Sequence, residues 1–279
     1  MTTVAQALRD TAARLEATSD TARLDAELLM AHALGVSRSK MLLRDFDEPV
    51  PPPFAALVDR RARHEPVAYL VGAQEFFGRE FRVTPAVLIP RPDSETTVAA
   101  ALDECPAPRR VLDCGVGSGA LLLTVLAERP GALGVGIDRS AGAVAVAADN
   151  AARLGLADRA TLAVADWLVS GWATQLGRFD LILANPPYVE DDASLDPDVR
   201  EWEPGGALFA GPDGLDAYRA LIPQLRALLA SDGVAVVEIG ASQGDAIAAV
   251  ARAAGFTSEL RCDLATRPRA VILRLGLGR

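Results

Sequence analysis

The chain is poor in the side chains that most often carry metal and nucleophilic chemistry. It has two histidines, His32 and His64, which argues against a zinc site or a His-based triad. Each reads as a helix-surface or packing residue. Its three cysteines, Cys105, Cys114 and Cys262, have neither metal-ligand spacing nor even pairing, so no metal and no disulfide framework is expected, and a reduced cytoplasm fits. No apolar run reaches the roughly 18 residues of a membrane span, and no charged-then-apolar leader opens the chain. The expectation is a cytoplasmic protein without a membrane partner. Positive charge is also in short supply. Lys and Arg total 28 against 37 Asp and Glu, a formal net charge of −9. A protein built to grip phosphate backbones needs clustered cations, so direct nucleic-acid binding is not expected. Arg60, Arg61 and Arg63 do cluster, and they read as a solvated helix face. An acidic protein suits a basic protein partner. Half of the 279 residues are hydrophobic, enough for one large and one small domain with real cores.

What the chain does have is Asn185-Pro186-Pro187-Tyr188 at the end of the apolar run Phe179–Ala184, which reads as a buried parallel strand. Two prolines stiffen the exit of that strand, and the residue before a proline is held extended. The Asn185 amide oxygen and the Pro186 carbonyl are two acceptors of fixed direction, and Tyr188 supplies a flat ring. Such a slot fits a planar group bearing an NH2. Upstream, the strand Arg110–Cys114 runs into Gly115-Val116-Gly117-Ser118-Gly119, then a helical stretch from Ala120 to Glu128, then the strand Gly134–Ile137 ending in Asp138. Glycines permit a tight turn and close approach of a ligand, and an acidic strand tip suits a ribose diol. The dinucleotide spacing G-x-G-x-x-G fails here. Asp113 beside the turn would repel a pyrophosphate but would welcome a ligand carrying an ammonium and a sulfonium, which points to S-adenosylmethionine rather than NAD. Asp166-Trp167 closes a further short strand, where Asp166 suits an exocyclic adenine amine and Trp167 the flat ring. These strand ends come in the order in which an open α/β sheet gathers a ligand at its carboxyl edge.

In these motifs the chain resembles the release-factor glutamine methyltransferases, the PrmC/HemK family. The resemblance covers nearly its whole length. Glu65–Gly72 followed by Glu75–Gly78 is similar to the family's interdomain segment. Leu88-Ile89-Pro90-Arg91-Pro92-Asp93-Ser94-Glu95 is similar to its entry into the catalytic domain. Glu203-Pro204, Ala207-Leu208-Phe209 and Gly211–Leu215 match the stretch after the slot. Cys114, Val116 and Ser94 depart mildly from the family's usual residues. The resemblance implies an α/β fold: a class I, Rossmann-like, seven-stranded methyltransferase sheet with a small N-terminal helical domain. It implies S-adenosylmethionine as cofactor, and as substrate the glutamine of the Gly-Gly-Gln motif in class I peptide chain release factors.

The expected organisation is a helical domain over 1–72 that docks the protein substrate, a hairpin linker over 73–92 and a methyltransferase domain over 93–279. The expected cofactor residues are Asp113, Gly115, Val116, Gly117, Ser118, Gly119, Asp138, Asp166, Trp167 and Asn185. Asn185 and Pro186 are the expected catalytic pair, with Pro187, Tyr188 and Arg91 completing the substrate slot. Arg91 lines the substrate entrance or forms a surface salt bridge, and Glu203 orders the loop after the slot. Two other acceptors fit the same slot: a glutamine of a ribosomal protein, and the amino group of a flipped nucleic-acid base.

Overall fold

The computed structural model describes residues 3–43 and 48–276. Three stretches of the expected spans lie outside them: the first two residues and 44–47 of 1–72, and the last three of 93–279. The chain divides into two compact units. One runs to Ala73 and takes in Leu195–Trp202; the other comprises Gln74–Ser194 and the chain from Glu203 onward.

The first unit is helical. Thr3 caps the helix Val4–Leu15 by accepting from the Gln6 backbone N–H at 3.3 Å, and Val4, Ala7, Leu8, Thr11 and Leu15 recur along its buried face. Gly35, in the left-handed conformation with φ +66°, ends the second helix, Ala22–Leu34. Ser37 caps Arg38–Leu42, and Pro53 opens Pro53–Arg61. Leu8, Leu29, Met30, Met41 and Phe54 form the core.

The arginine cluster is not a solvated face. Phe54, Leu57, Val58 and Arg61 follow one another at i, i+3, i+4 and i+7, so Arg61 falls on the stripe that faces the core. It is buried, and its Nε donates to Asp25 Oδ2 at 2.6 Å. Arg60 pairs with Glu65 at 2.5 Å, and Arg63 is exposed.

The second unit opens with a hairpin, β1 (Ala73–Phe76) and β2 (Arg79–Arg82). Its two-residue turn has φ +51° at Phe77 and +72° at Gly78, the left-handed pair that matches strand twist. The main sheet contains β3 (Arg110–Cys114), β4 (Leu133–Asp138), β5 (Ala160–Val164), β6 (Phe179–Ala184), β7 (Leu229–Glu238), β8 (Phe256–Cys262) and β9 (Pro268–Leu275). Their order is β5-β4-β3-β6-β7-β9-β8. The first five run parallel, while β9 is antiparallel to β7 and to β8. This is a doubly wound sheet with an antiparallel edge, and it has the seven strands that the resemblance implied.

Successive strand residues enter opposite cores. Val111, Leu181, Leu183 and Val236 pack on one face with Val98, Leu122 and Leu126. Leu112, Ile182, Ala184 and Val237 pack on the other with Tyr218, Leu221 and Ile222. The chain enters at the centre with β3, moves out through β4 and β5, then returns to place β6 on the other side of β3. That reversal opens a crevice beyond the carboxyl ends of β3 and β6.

Candidate active site

The crevice is a cavity of about 570 Å³. Eleven of the residues singled out from sequence line it: Arg91, Asp113, Gly115, Val116, Gly117, Ser118, Asp138, Asp166, Trp167, Asn185 and Pro187. They arrive from four strand ends and from the turn that precedes the Glu95–Glu104 helix.

The glycine turn leaves β3 with φ +88°, +53° and +86° at Gly115, Gly117 and Gly119. Only glycine adopts such a run without strain. Gly115 also lies under the Trp167 ring, where a Cβ would meet the indole at 3.4 Å. Asp138 braces the turn from β4. Its Oδ2 accepts from the Gly117 N–H at 3.0 Å, and its Oδ1 from the Ser140 N–H at 2.9 Å. Each oxygen keeps lone pairs for a ligand, so Asp138 is both scaffold and acceptor. Asp166 accepts from the Leu168 N–H at 2.9 Å, which turns the chain after β5.

Asp113 is the outlier. It is 1 % exposed; Oδ2 accepts a 3.3 Å bond from the Leu122 N–H, and Oδ1 has no partner among the described residues. Burial pushes its pKa up to about 7, the Leu122 N–H opposes that, and nearby Asp138 adds to it. A buried carboxylate oxygen without a donor is costly unless something cationic fills the space in front of it.

Three residues lie outside the cavity wall. Gly119 caps the helix Ala120–Glu128, and a Cβ there would strike Leu123 at 2.7 Å, so this glycine serves helix packing. Pro186 is buried. Tyr188 packs against the core on one face of the sheet, and its carbonyl accepts from Gln243 Nε2 at 3.1 Å. Burial and the neighbouring Glu238 raise its phenol to about 12. The ring that sequence assigned to the slot is therefore half-buried against the core, outside the cavity wall. A short parallel ladder fixes the exit: Val189 N–H donates to the Leu208 carbonyl at 2.8 Å and Ala210 N–H to the Val189 carbonyl at 2.9 Å. This brings Phe209, Ala210 and Gly211 into the wall.

The segment Arg91–Glu95 is used residue by residue. Arg91 pairs with the buried carboxylate of Glu203, which also accepts from the Ile89 N–H at 3.0 Å. Arg91 thus lines the cavity, and its ion pair is with a buried carboxylate rather than across the surface. Pro92 starts a 3-10 turn, Asp93 pairs with Arg269 at 2.5 Å, and Glu95 accepts from the Phe77 N–H at 2.9 Å, tying the hairpin turn to the helix. Ser94 accepts from Asn185 Nδ2 at 3.5 Å. Sequence reasoning noted Ser94 only as a mild departure from the family's usual residue and passed over Glu238 at the end of β7. An acid closing the apolar run Val234–Val237 was the available signal.

Residues 6–72 match the PrmC N-terminal domain, and residues 93–200 the methyltransferase small domain. The release factor glutamine methyltransferase of Cereibacter sphaeroides is 45% identical, over 97% of this chain and 98% of its own length. That of Caulobacter vibrioides is 44% identical, over 91% and 89% respectively. The chain belongs to the release factor glutamine methyltransferase family. A crystal structure described as a ribosomal protein L11 methylase, from Lactobacillus delbrueckii subsp. bulgaricus, shares the fold at 22% identity with a TM-score of 0.52, covering 73% of this chain and 90% of that one.

The cofactor is S-adenosylmethionine, and the residues present fit it. The donorless Asp113 oxygen suits its ammonium. The glycine turn suits the close approach of its backbone, and the acceptors at Asp138 and Asp166 suit its ribose and adenine.

Proposed function

We propose that this chain transfers a methyl group from S-adenosylmethionine to the side-chain amide nitrogen of the glutamine in the Gly-Gly-Gln motif of class I release factors. One observation carries the reading: Asn185, at the exit of β6, and the partnerless buried oxygen of Asp113, at the end of β3, line the same cavity. One recognises a planar amide and the other a cation, and amide methylation by a sulfonium donor needs both.

When bound, S-adenosylmethionine supplies a methyl group on a positively charged sulfur. Asp113 would hold its ammonium, Asp138 and the backbone of 115–118 its ribose side, and Asp166 and Trp167 its adenine. An amide nitrogen is a poor nucleophile because its lone pair is delocalised into the carbonyl. The protein therefore contributes position and electrostatics. The Asn185 side-chain oxygen, on the cavity wall, accepts one hydrogen of the substrate NH2, and the carbonyl of Pro186, which sits between the wall residues Asn185 and Pro187, is the acceptor proposed for the other. Both bonds strengthen as positive charge develops on that nitrogen, which favours the transition state over the ground state. The methylated nitrogen then loses a proton to water, so no histidine is required. Pro187 and the ion-paired Arg91 shape the entrance, with Tyr188 supporting the slot from below.

The helical unit docks the release factor in this reading, the hairpin over 73–92 links it onward, and the residues from 93 carry the chemistry. The net charge of −9 supports a protein partner over nucleic acid, and the reaction takes place in the cytoplasm, where release factors act.

The test is methyl transfer from radiolabelled S-adenosylmethionine to purified release factor, beside the factor with its Gly-Gly-Gln glutamine changed to alanine, ribosomal protein and nucleic acid. Label in the intact factor alone is the expected result. Label in ribosomal protein or nucleic acid instead would overturn the substrate assignment. Docking is checked separately, by hydrogen-exchange protection of 3–43 and 48–73 on adding the factor.

A further inference from the structure

The glycine turn is held from two sides. On the β4 side Asp138 accepts from Gly117, and the Ile137 carbonyl accepts from the Gly115 and Val116 N–H groups at 2.9 and 2.8 Å. On the other side the hold is one side chain, Asn150, in the helix Ala141–Arg153. That helix buries Ala143, Val146, Ala147, Asn150 and Ala151, at i, i+3, i+4, i+7 and i+8, so Asn150 is the polar member of a stripe otherwise made of Ala and Val. It is 0 % exposed. Its Nδ2 donates to the Ser118 carbonyl at 2.8 Å and to the Arg82 carbonyl at 2.9 Å, and its Oδ1 accepts from the Arg82 N–H at 2.7 Å.

A buried amide costs free energy unless its groups are bonded, so helix packing alone does not call for asparagine here. What asparagine adds is a link. Arg82 ends β2, and β1 and β2 form a two-stranded sheet, so one edge of β2 carries no third strand. The Asn150 amide exchanges two hydrogen bonds with Arg82, as a residue of a neighbouring strand would. Its remaining hydrogen goes to Ser118, on the cavity wall. The peptide joining Ser118 to Gly119 is thereby fixed at both groups, since the Gly119 N–H donates to the Val116 carbonyl at 2.7 Å. Glycine accepts φ of either sign, so Gly119, at +86°, would by itself let this planar unit turn over. We propose that Asn150 is a positioning residue for S-adenosylmethionine: by hanging the Ser118–Gly119 peptide on the edge of β2, it keeps the glycine turn in the form that receives the cofactor.

The hairpin is then part of the frame of the cofactor site and not only a link in the chain. This role rests on the cofactor lying against residues 115–118, as given above, and is independent of the methyl acceptor. Two exposed ion pairs, Arg82–Asp149 and Arg153–Glu80, both at 3.4 Å, join the same helix and strand at the surface, where such pairs are worth little.

Calorimetry of S-adenosylmethionine binding, without release factor, compares Asn150→Ala with two controls. Val146→Ala truncates the same buried stripe, and Arg153→Ala breaks an exposed ion pair. Asn150→Ala should raise the cofactor Kd about tenfold, the scale of one lost hydrogen bond, while both controls stay within a factor of about two. In turnover with release factor the loss should fall on the KM for cofactor, with kcat recovered at saturation. An equal rise of Kd in Val146→Ala would make Asn150 a packing residue and overturn the proposal. Hydrogen exchange gives a readout that needs no variant. Adding S-adenosylmethionine to the wild type should slow exchange at the Arg82 N–H, which ends on Asn150, severalfold. The same rate with and without cofactor would overturn the link even if Asn150→Ala fails to fold. If Asn150→Ala binds normally while Asp113→Asn does not, the cofactor keeps its place and the positioning role fails. If neither variant loses affinity, the placing of the cofactor against the turn fails with it.

Discussion

Both units bury acidic side chains, and they treat them in opposite ways. In the helical unit each buried carboxylate has an arginine. Asp25 has Arg61, Glu65 has Arg60, and Glu27 has Arg23 and Arg38. Burial alone would raise the pKa of Glu27, but the two guanidinium bonds outweigh it and hold the pKa below the usual value. In the cavity-bearing unit Asp113 and Glu238 are buried as deeply, yet among the described residues no cation lies within ion-pair distance of either. Burial pushes both up to about 7. Glu203, in the same unit, is paired with Arg91. Burial of an acid is thus not by itself the mark of function here. A paired carboxylate holds the fold together, whereas Asp113 is given to the cofactor in the function proposed above and Glu238 accepts from the Thr97 hydroxyl.

The contrast can be broken most sharply in the helical unit. Arg61→Leu leaves Asp25 buried without its cation and should cost about 3–5 kcal/mol of unfolding free energy, read by denaturant titration. Adding Asp25→Asn should recover part of that loss, and a double variant no better than the single would show that the pair is not the source.

Next comes the acceptor. Asn185→Ala should lower single-turnover methylation about 10²–10³-fold, the scale of one lost transition-state hydrogen bond, while calorimetry finds cofactor affinity within a factor of about two. Near wild-type turnover would remove Asn185 from the reaction.

Asp113 gives a smaller and pH-dependent effect. Asp113→Asn should weaken cofactor binding by about 1.5–3 kcal/mol without lowering stability, the reverse of Arg61→Leu. In the wild type a cationic ligand selects the ionised carboxylate, so affinity should climb as pH rises toward about 7 and level off above it, and this slope should vanish in the variant.

The last effect concerns folding itself. Asp113 and Glu238 hold their protons in the native state to about pH 7, against an unfolded value of about 4. The stability they contribute is present in full below about pH 4, declines as pH rises, and is gone above about pH 7. Glu238→Gln should flatten part of that decline in urea titrations from pH 4 to 8. An unchanged slope would mean that Glu238 is ionised throughout.

Local patterning made much of this protein legible. The strand-turn-helix at Arg110–Glu128, the acid closing β4 and the Asn-Pro-Pro-Tyr exit of β6 were readable because a strand end, a glycine turn and a proline pair are fixed by near neighbours. Tertiary placement overruled local reading elsewhere. Arg61 looked solvated beside Arg60 and Arg63 until its helix turned it onto the core stripe. Tyr188 looked like a wall of the slot, and packing drew its ring against the core. Gly119 belonged to a ligand motif by spacing, yet its missing side chain makes room for Leu123.

By itself, then, the order of residues determined the alternation of strands and helices, the family and the cofactor, since each rests on spacing within a few tens of residues. Only the folded chain decided which buried acids are paired and which are not, and which side chain Asn185 meets. Ser94 and Asn185 are far apart in sequence, and the hydrogen bond between them comes into being only when the turn that carries Ser94 is brought against the end of β6.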